Sequence, residues 1–160
     1  MSVAFTKEDS AETAAELLLP DRPIPEGPNL VTKAGLDALT RQLREAEQAY
    51  DAANATEDVN ERRRQSALPY RDLRYLAERL RTAQLVPPPD STDTVGFGST
   101  VTFTRDDGRV QTYRIVGEDE ADPRAGSISY ASPIARVLSG KMVGDTAVLG
   151  EQELEITGIR

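Results

Sequence analysis

Two leucine-rich stretches, each spaced at alternating intervals of three and four residues, constrain this chain more than any other feature. Leu36, Leu39, Leu43, Ala46, Tyr50 and Ala53 form the first, and Leu73, Leu76, Leu80 and Ala83 the second. That spacing lays the side chains along one stripe of an α-helix, the seam by which helices pair in a coiled coil. Thr32 has the chemistry of an N-cap for the first helix, while Gly35 weakens its first turn. The run Pro87 to Pro89, just after Val86, stops the second helix. Each fully buried leucine contributes about 1.5–3 kcal/mol, so an antiparallel pairing of the seams stabilises helices that would be weak alone.

Between the seams, Asn54 to Leu68 carries Glu57, Asp58 and Glu61, followed by Arg62, Arg63 and Arg64, without a continued apolar stripe. This reads as the tip of a helical hairpin. Pro69 leaves two arrangements open: helix two begins near Ser66 with the proline in its first turn, or it is kinked there. On local chemistry alone the acids make a solvated turn, with Thr56 as a cap, and the arginines an ordinary charged surface.

Beyond the prolines the period falls to two. Val101 and Phe103, a turn at Asp106, Asp107 and Gly108, and a strand from Val110 to Val116 make a β-hairpin. Ser132, Pro133 and Ile134 through Gly140 have the N-cap, first-turn proline and terminal glycine of a short helix. Strands at Thr146 to Leu149 and Glu153 to Ile159 follow. The acidic loop Glu118, Asp119, Glu120 and Asp122 lacks EF-hand spacing and reads as solvated, and Gly117, Gly140 and Gly144 serve turns and helix ends. Residues 1–29, with six acids, two bases and several prolines, read as an extended or partly disordered arm in which Leu17 to Leu19 can form a helical turn or dock on a neighbouring surface. The fold class is therefore α+β: an arm at 1–29, a coiled-coil hairpin at 30–86 with its acidic tip near 57–61, and a β-rich domain with a short helix at 87–160.

Composition narrows the chemistry. The absence of Cys and His excludes thiolate and imidazole metal sites, disulfides and a Ser-His-Asp triad, so any metal must be held by carboxylates. A formal charge of −8 repels phosphate backbones, argues against strong binding to free DNA, and favours a protein partner. No export signal or long apolar stretch is present in the sequence, which predicts a cytoplasmic protein with no membrane partner.

The stretch Tyr113 to Val148, YRIVGEDEADPRAGSISYASPIARVLSGKMVGDTAV, resembles the C-terminal signature of the Gre (GreA/GreB) transcription elongation factors. The likeness extends to Val31-Thr32, Gly35-Leu36 and Ala83-Gln84-Leu85-Val86, and faintly to Ser2 to Glu8 in the arm. The resemblance implies an FKBP-like C-terminal domain, docked through Ser132, Pro133 and Ile134 at the rim of the secondary channel of bacterial RNA polymerase. It also implies a hairpin entering that channel, where Asp58 and Glu61 stand in the family's Asp-x-x-Glu positions. In the family these carboxylates help the polymerase hold a magnesium ion, a hard cation that prefers oxygen ligands, so that backtracked RNA is cleaved near its 3′ end. The chain itself then needs no cofactor and is not an enzyme, since the active site and its Mg2+ belong to the polymerase.

Two departures from the family pattern keep a second reading open, a channel-occupying regulator or inhibitor that does not stimulate cleavage. Arg62, Arg63, Arg64 and Gln65 replace an Asn-Ala-Glu-Tyr-like continuation, and the three arginines are expected to contact RNA phosphates or acidic channel walls, or to neutralise the neighbouring acids. The hairpin is also shorter than the family pattern by roughly one heptad per helix, about 10 Å of reach, consistent with a short-hairpin variant, and Ala131 stands where some members are acidic. A third reading, a peptidyl-prolyl isomerase, rests on the expected fold alone and would need an aromatic-walled pocket from Phe97, Phe103, Tyr113 and Tyr130.

Overall fold

A computed structural model describes residues 19–160. The arm before residue 19, including Ser2 to Glu8 and the pair Leu17 and Leu18, lies outside the described residues. Contacts gather the chain into two compact units. One holds the described arm through Gly27 with Leu39–Arg81, and the other holds Pro28–Ala38 with Thr82–Arg160.

The first unit is the helical hairpin. Helix α1 spans Lys33–Asn54 and α2 spans Val59–Thr82, with its last residue counted in the second unit, as are the residues of α1 up to Ala38. Four residues join the helices, a connection so short that they must lie antiparallel as neighbours. Leu39, Ala46 and Ala53 are buried at intervals of seven, with Leu43 and Tyr50 half-buried between them. On α2, Leu76 is buried and Leu73 and Leu80 are half-buried. Near the tip Tyr50 and Tyr70 bring their ring centroids to 5.4 Å.

Helix α2 begins at Val59, seven residues before Ser66, so of the two arrangements open for Pro69 the first-turn placement is excluded and the proline stands inside the helix. A proline there removes one backbone hydrogen bond at a cost of about 3 kcal/mol. The straight-chain residues Glu61 to Gln65 nevertheless favour helix without an apolar stripe, and Asp58 supplies the cap. A second departure concerns Tyr75 and Arg79, buried one turn apart although neither belongs to the predicted seam. Arg22 from the arm lays its guanidinium 3.8 Å above the Tyr75 ring and 3.3 Å from Asp72, and Asp21 pairs with Arg74 at 2.9 Å. The described arm is thus pinned along α2.

The second unit contains two sheets. Strand β1 (Asn29–Val31) pairs in parallel with β2 (Ala83–Leu85), so Ala83, expected as the last seam residue, is already in a strand. The larger sheet has the order β5-β4-β3-β7-β6, where β3 is Thr100–Arg105, β4 Val110–Val116, β5 Ser127–Ser129, β6 Thr146–Leu149 and β7 Gln152–Ile159. A β-bulge separates the pairs Thr102–Gly158 and Phe103–Ile156. The extra residue shifts side-chain parity by one, so that after Leu154 and Ile156 it is Ile159, opposite Val101, that returns to the core. Helix α3 (Pro133–Leu138) contributes Ala135 and Leu138 to that core, which also holds Val101, Phe103, Ile115, Leu154 and Ile156. The observed fold is a pair of long helices followed by a β-rich region with one short α-helix and a 3-10 turn at Pro123–Ala125.

Candidate functional site

The tip is organised by a single carboxylate. Asp58 Oδ1 accepts the Glu61 backbone N–H at 2.8 Å, which makes Asp58, rather than Thr56, the N-cap of α2. Asp58 and Glu61 therefore sit together on the first turn, Asp58 exposed and Glu61 half-buried. Glu61 Oε1 accepts from Gln65 Nε2 at 2.9 Å, and its Oε2 lies 3.8 Å from Arg64. Thr56 hydrogen-bonds Gln65 at 2.9 Å.

The three arginines do not act alike. Arg62 turns back on the loop, donating to the Thr56 carbonyl at 2.8 Å and the Glu57 carbonyl at 3.2 Å. Arg64 is drawn toward Glu61, whereas the Arg63 side chain is exposed to solvent. Of the arginines, Arg62 holds the turn together, and Arg63 and Arg64 present charge outward. Among the described residues, no cluster of three or more His, Cys, Asp or Glu side chains is arranged to hold a metal. Asp58 and Glu61 together offer hard oxygen ligands of the type magnesium accepts, but only part of a coordination shell.

Ser132, Pro133 and Ile134 lie at the start of α3. The Ser132 hydroxyl donates to the Ser129 carbonyl at 2.6 Å and accepts from the Ala135 N–H at 3.3 Å, so it is committed to the cap. Pro133 is exposed and Ile134 half-buried, and both line a groove of about 480 Å³ with Arg105, Tyr113, Ile128 and Leu149. Tyr113 is the one aromatic on that groove. Phe103 is fully buried in the core, and Phe97 packs edge-on against Tyr130 with centroids 5.6 Å apart. Phe103 and Tyr113 also pair, with centroids 6.1 Å apart, so of the four aromatics Tyr113 alone lines the groove and an aromatic-walled isomerase pocket is not formed there.

The acidic loop corrects its expected solvated character. Glu120 Oε1 accepts the Thr32 hydroxyl at 2.6 Å, and Oε2 accepts the Thr32 N–H at 3.2 Å and the Gly117 N–H at 3.3 Å. Thr32 Oγ1 in turn accepts the Gly35 N–H at 3.0 Å, confirming Thr32 as the N-cap of α1. Nearby, the Tyr130 hydroxyl donates to the Pro28 carbonyl and accepts from the Leu30 N–H at 3.4 Å. Gly35 was the available signal for Glu120: a poor helix former at the third position of a capped helix marks a close approach.

Among the described residues no helix is long and apolar enough to cross a membrane. The family described as transcription elongation factor GreA/GreB, C-terminal, matches residues 89–160. Transcription elongation factor GreB of Neisseria meningitidis serogroup B is 45% identical over 95 residues, covering 56% of this chain and 58% of that protein, little more than half its length. GreB of Haemophilus ducreyi is 33% identical over 133 residues, covering 73% of this chain and 82% of its own. The crystal structure of GreA factor homolog 1 of Thermus thermophilus aligns at 23% identity and a TM-score of 0.39, over 84% of this chain and 99% of that one, a likeness too loose to carry a conclusion. The identity sustained along most of the Haemophilus protein, together with the family match over the β-rich region, establishes that this chain belongs to the GreA/GreB family.

Proposed function

We propose that this chain is a transcription elongation factor that binds bacterial RNA polymerase and acts through its secondary channel, with the hairpin tip stimulating cleavage of backtracked RNA. The observation that carries the reading is the tip itself: Asp58 and Glu61 are brought onto one helical turn by the Asp58 cap, at the end of a paired-helix finger. Asp58 uses Oδ1 for the cap, which leaves Oδ2 as its outward ligand. Magnesium bound by the polymerase would supply the polarised water, and the chain's part is to bring carboxylate oxygens to it. Pro133 and Ile134, at the lip of an apolar groove, are the surface a polymerase rim would touch, and Arg63 and Arg64 face outward for RNA phosphate or acidic channel walls. The acting partner is the polymerase with its RNA 3′ end; the chain does not catalyse alone.

The test is a backtracked elongation complex. The chain should bind core polymerase and speed release of short RNA 3′ fragments. Asp58→Asn with Glu61→Gln should abolish the acceleration while keeping binding, because asparagine caps a helix about as well as aspartate. Failure to bind polymerase overturns the proposal. One observation favours the second reading, occupancy of the channel without cleavage: both Glu61 oxygens already face Gln65 and Arg64. Slowed elongation with no shortening of RNA would support it.

A further inference from the structure

Helix α1 starts on a capping box whose two halves lie far apart in sequence. In the local form, an N-cap threonine accepts the N–H of the third helical residue, and a glutamate at that third position reaches back to the threonine's N–H. Here Thr32 accepts the Gly35 N–H at 3.0 Å, but the third position is glycine, and the returning carboxylate is that of Glu120, 88 residues later. Glu120 occupies the space the missing side chain would use: a Cβ on Gly35 would stand 2.1 Å from Oε2, and its three nearest neighbours are all Glu120 atoms. The same Oε2 accepts the N–H of Gly117, the residue that follows strand β4, so one carboxylate joins the start of the helix to the end of a sheet strand. Gly117 is itself hemmed in, with a Cβ there meeting the Leu30 carbonyl oxygen at 2.7 Å. A glutamate at position 35 would cap the helix equally well without fastening it to anything.

We propose that Glu120 is a positioning residue for the tip: by capping α1 from the β4 loop it fixes the root of the helix that leads to Asp58 and Glu61. The inference rests on the proposed cleavage function and adds a residue to it. A negative charge at a helix N-terminus also complements the dipole, but a local glutamate would do that too, and the experiment separates the two roles.

Glu120→Ala removes both cap and tether. Adding Gly35→Glu, into space that the alanine has cleared, rebuilds the capping box locally and leaves the tether absent. Cleavage at saturating factor, polymerase affinity and thermal stability are measured for both variants. Glu120→Ala should slow cleavage by about 10-fold or more, since a misplacement near 1 Å costs on the order of 100-fold, with polymerase affinity within about threefold of the parent. The double variant should recover the thermal stability and not the cleavage rate. Recovery of cleavage in the double variant shows that Glu120 is only a cap and overturns the proposal, as does full cleavage by Glu120→Ala. If Glu120→Ala does not fold, the double variant alone decides between these outcomes. A parent chain that never accelerates cleavage overturns the tip reading and this inference with it; a parent that cleaves beside variants that also cleave overturns this inference only.

Discussion

Helix α2 begins on a carboxylate three residues from the amide it accepts, whereas α1 begins on one supplied from 88 residues away. Both satisfy N–H groups that a helix start leaves without partners, yet they constrain the chain differently. The Asp58 cap closes within one turn and orders only the tip. The Glu120 cap cannot form until the β4 loop and the Thr32 segment have come together, so it couples two distant segments and demands room beside both. That room is made by glycines at 35 and 117, which have no counterpart at the tip.

The sharpest way to break this contrast is to fill the room. Gly117→Ala places a methyl group 2.7 Å from the Leu30 carbonyl oxygen, a backbone atom that cannot swing aside, and 3.2 Å from Glu120 Oε2. Overpacking of this kind costs about 1–3 kcal/mol, and the rigid neighbour puts the expected loss at the upper end. Chemical denaturation should show a lower midpoint with an unchanged slope. A loss below about 0.5 kcal/mol, the usual range for surface substitutions, would mean that the β4 loop yields freely and that the long-range cap is loose.

An intermediate effect belongs to the tip. Asp58→Ala removes the α2 cap and should cost about 1 kcal/mol, whereas Asp58→Asn should cost no more than a few tenths, because both aspartate and asparagine accept the N–H. Paired melts of the two variants check this. If alanine is as stable as asparagine, the 2.8 Å bond to Glu61 contributes nothing and the tip is ordered by the seam alone.

These contrasts also explain what the sequence could and could not disclose. Seams, turn glycines and the cap of α3 are local patterns, and Leu39, Ala46 and Ala53, strand β4 and Ser132 stand where those patterns put them. The β1–β2 pairing joins Asn29–Val31 to Ala83–Leu85, segments too short and too distant to carry a period of their own. The bulge in β7 was hidden for a related reason: Glu153 to Ile159 reads as one strand, and only its partner reveals the extra residue. At the tip, Asp58 and Glu61 were recognisable as a pair, but α2 starting at Val59 was not, since the missing apolar stripe read as tip and Pro69 was compatible with either a start near Ser66 or a proline inside the helix. Arg22 on Tyr75 shows the same limit, because a cation above a ring leaves no spacing in the chain.

The smallest expected effect comes from the most local carboxylate of all. Asp107, in the turn between β3 and β4, accepts the Arg109 N–H at 3.0 Å and pairs with the Arg109 guanidinium at 2.6 Å, two residues away and exposed. The Arg109 backbone N–H lowers the Asp107 pKa most, desolvation opposes it, and the Arg109 side chain and the nearby Arg105 add to the lowering. A depressed folded-state pKa means that this contribution is present above the ordinary aspartate value, about 3.9, and is lost as pH falls through the lower folded value. Its window therefore lies in acid, well below neutral pH. Following the Asp107 carboxyl carbon by NMR should give a midpoint below that ordinary value, moved back toward it by Arg109→Gln. Because the group is exposed and its partners are two residues away, melting at neutral pH should barely change in Asp107→Asn, which keeps an acceptor for the Arg109 N–H. A large loss there would break the ordering of the three carboxylates by sequence separation, from Glu120 through Asp58 to Asp107, and with it the argument that distance along the chain sets how much of the fold each one holds.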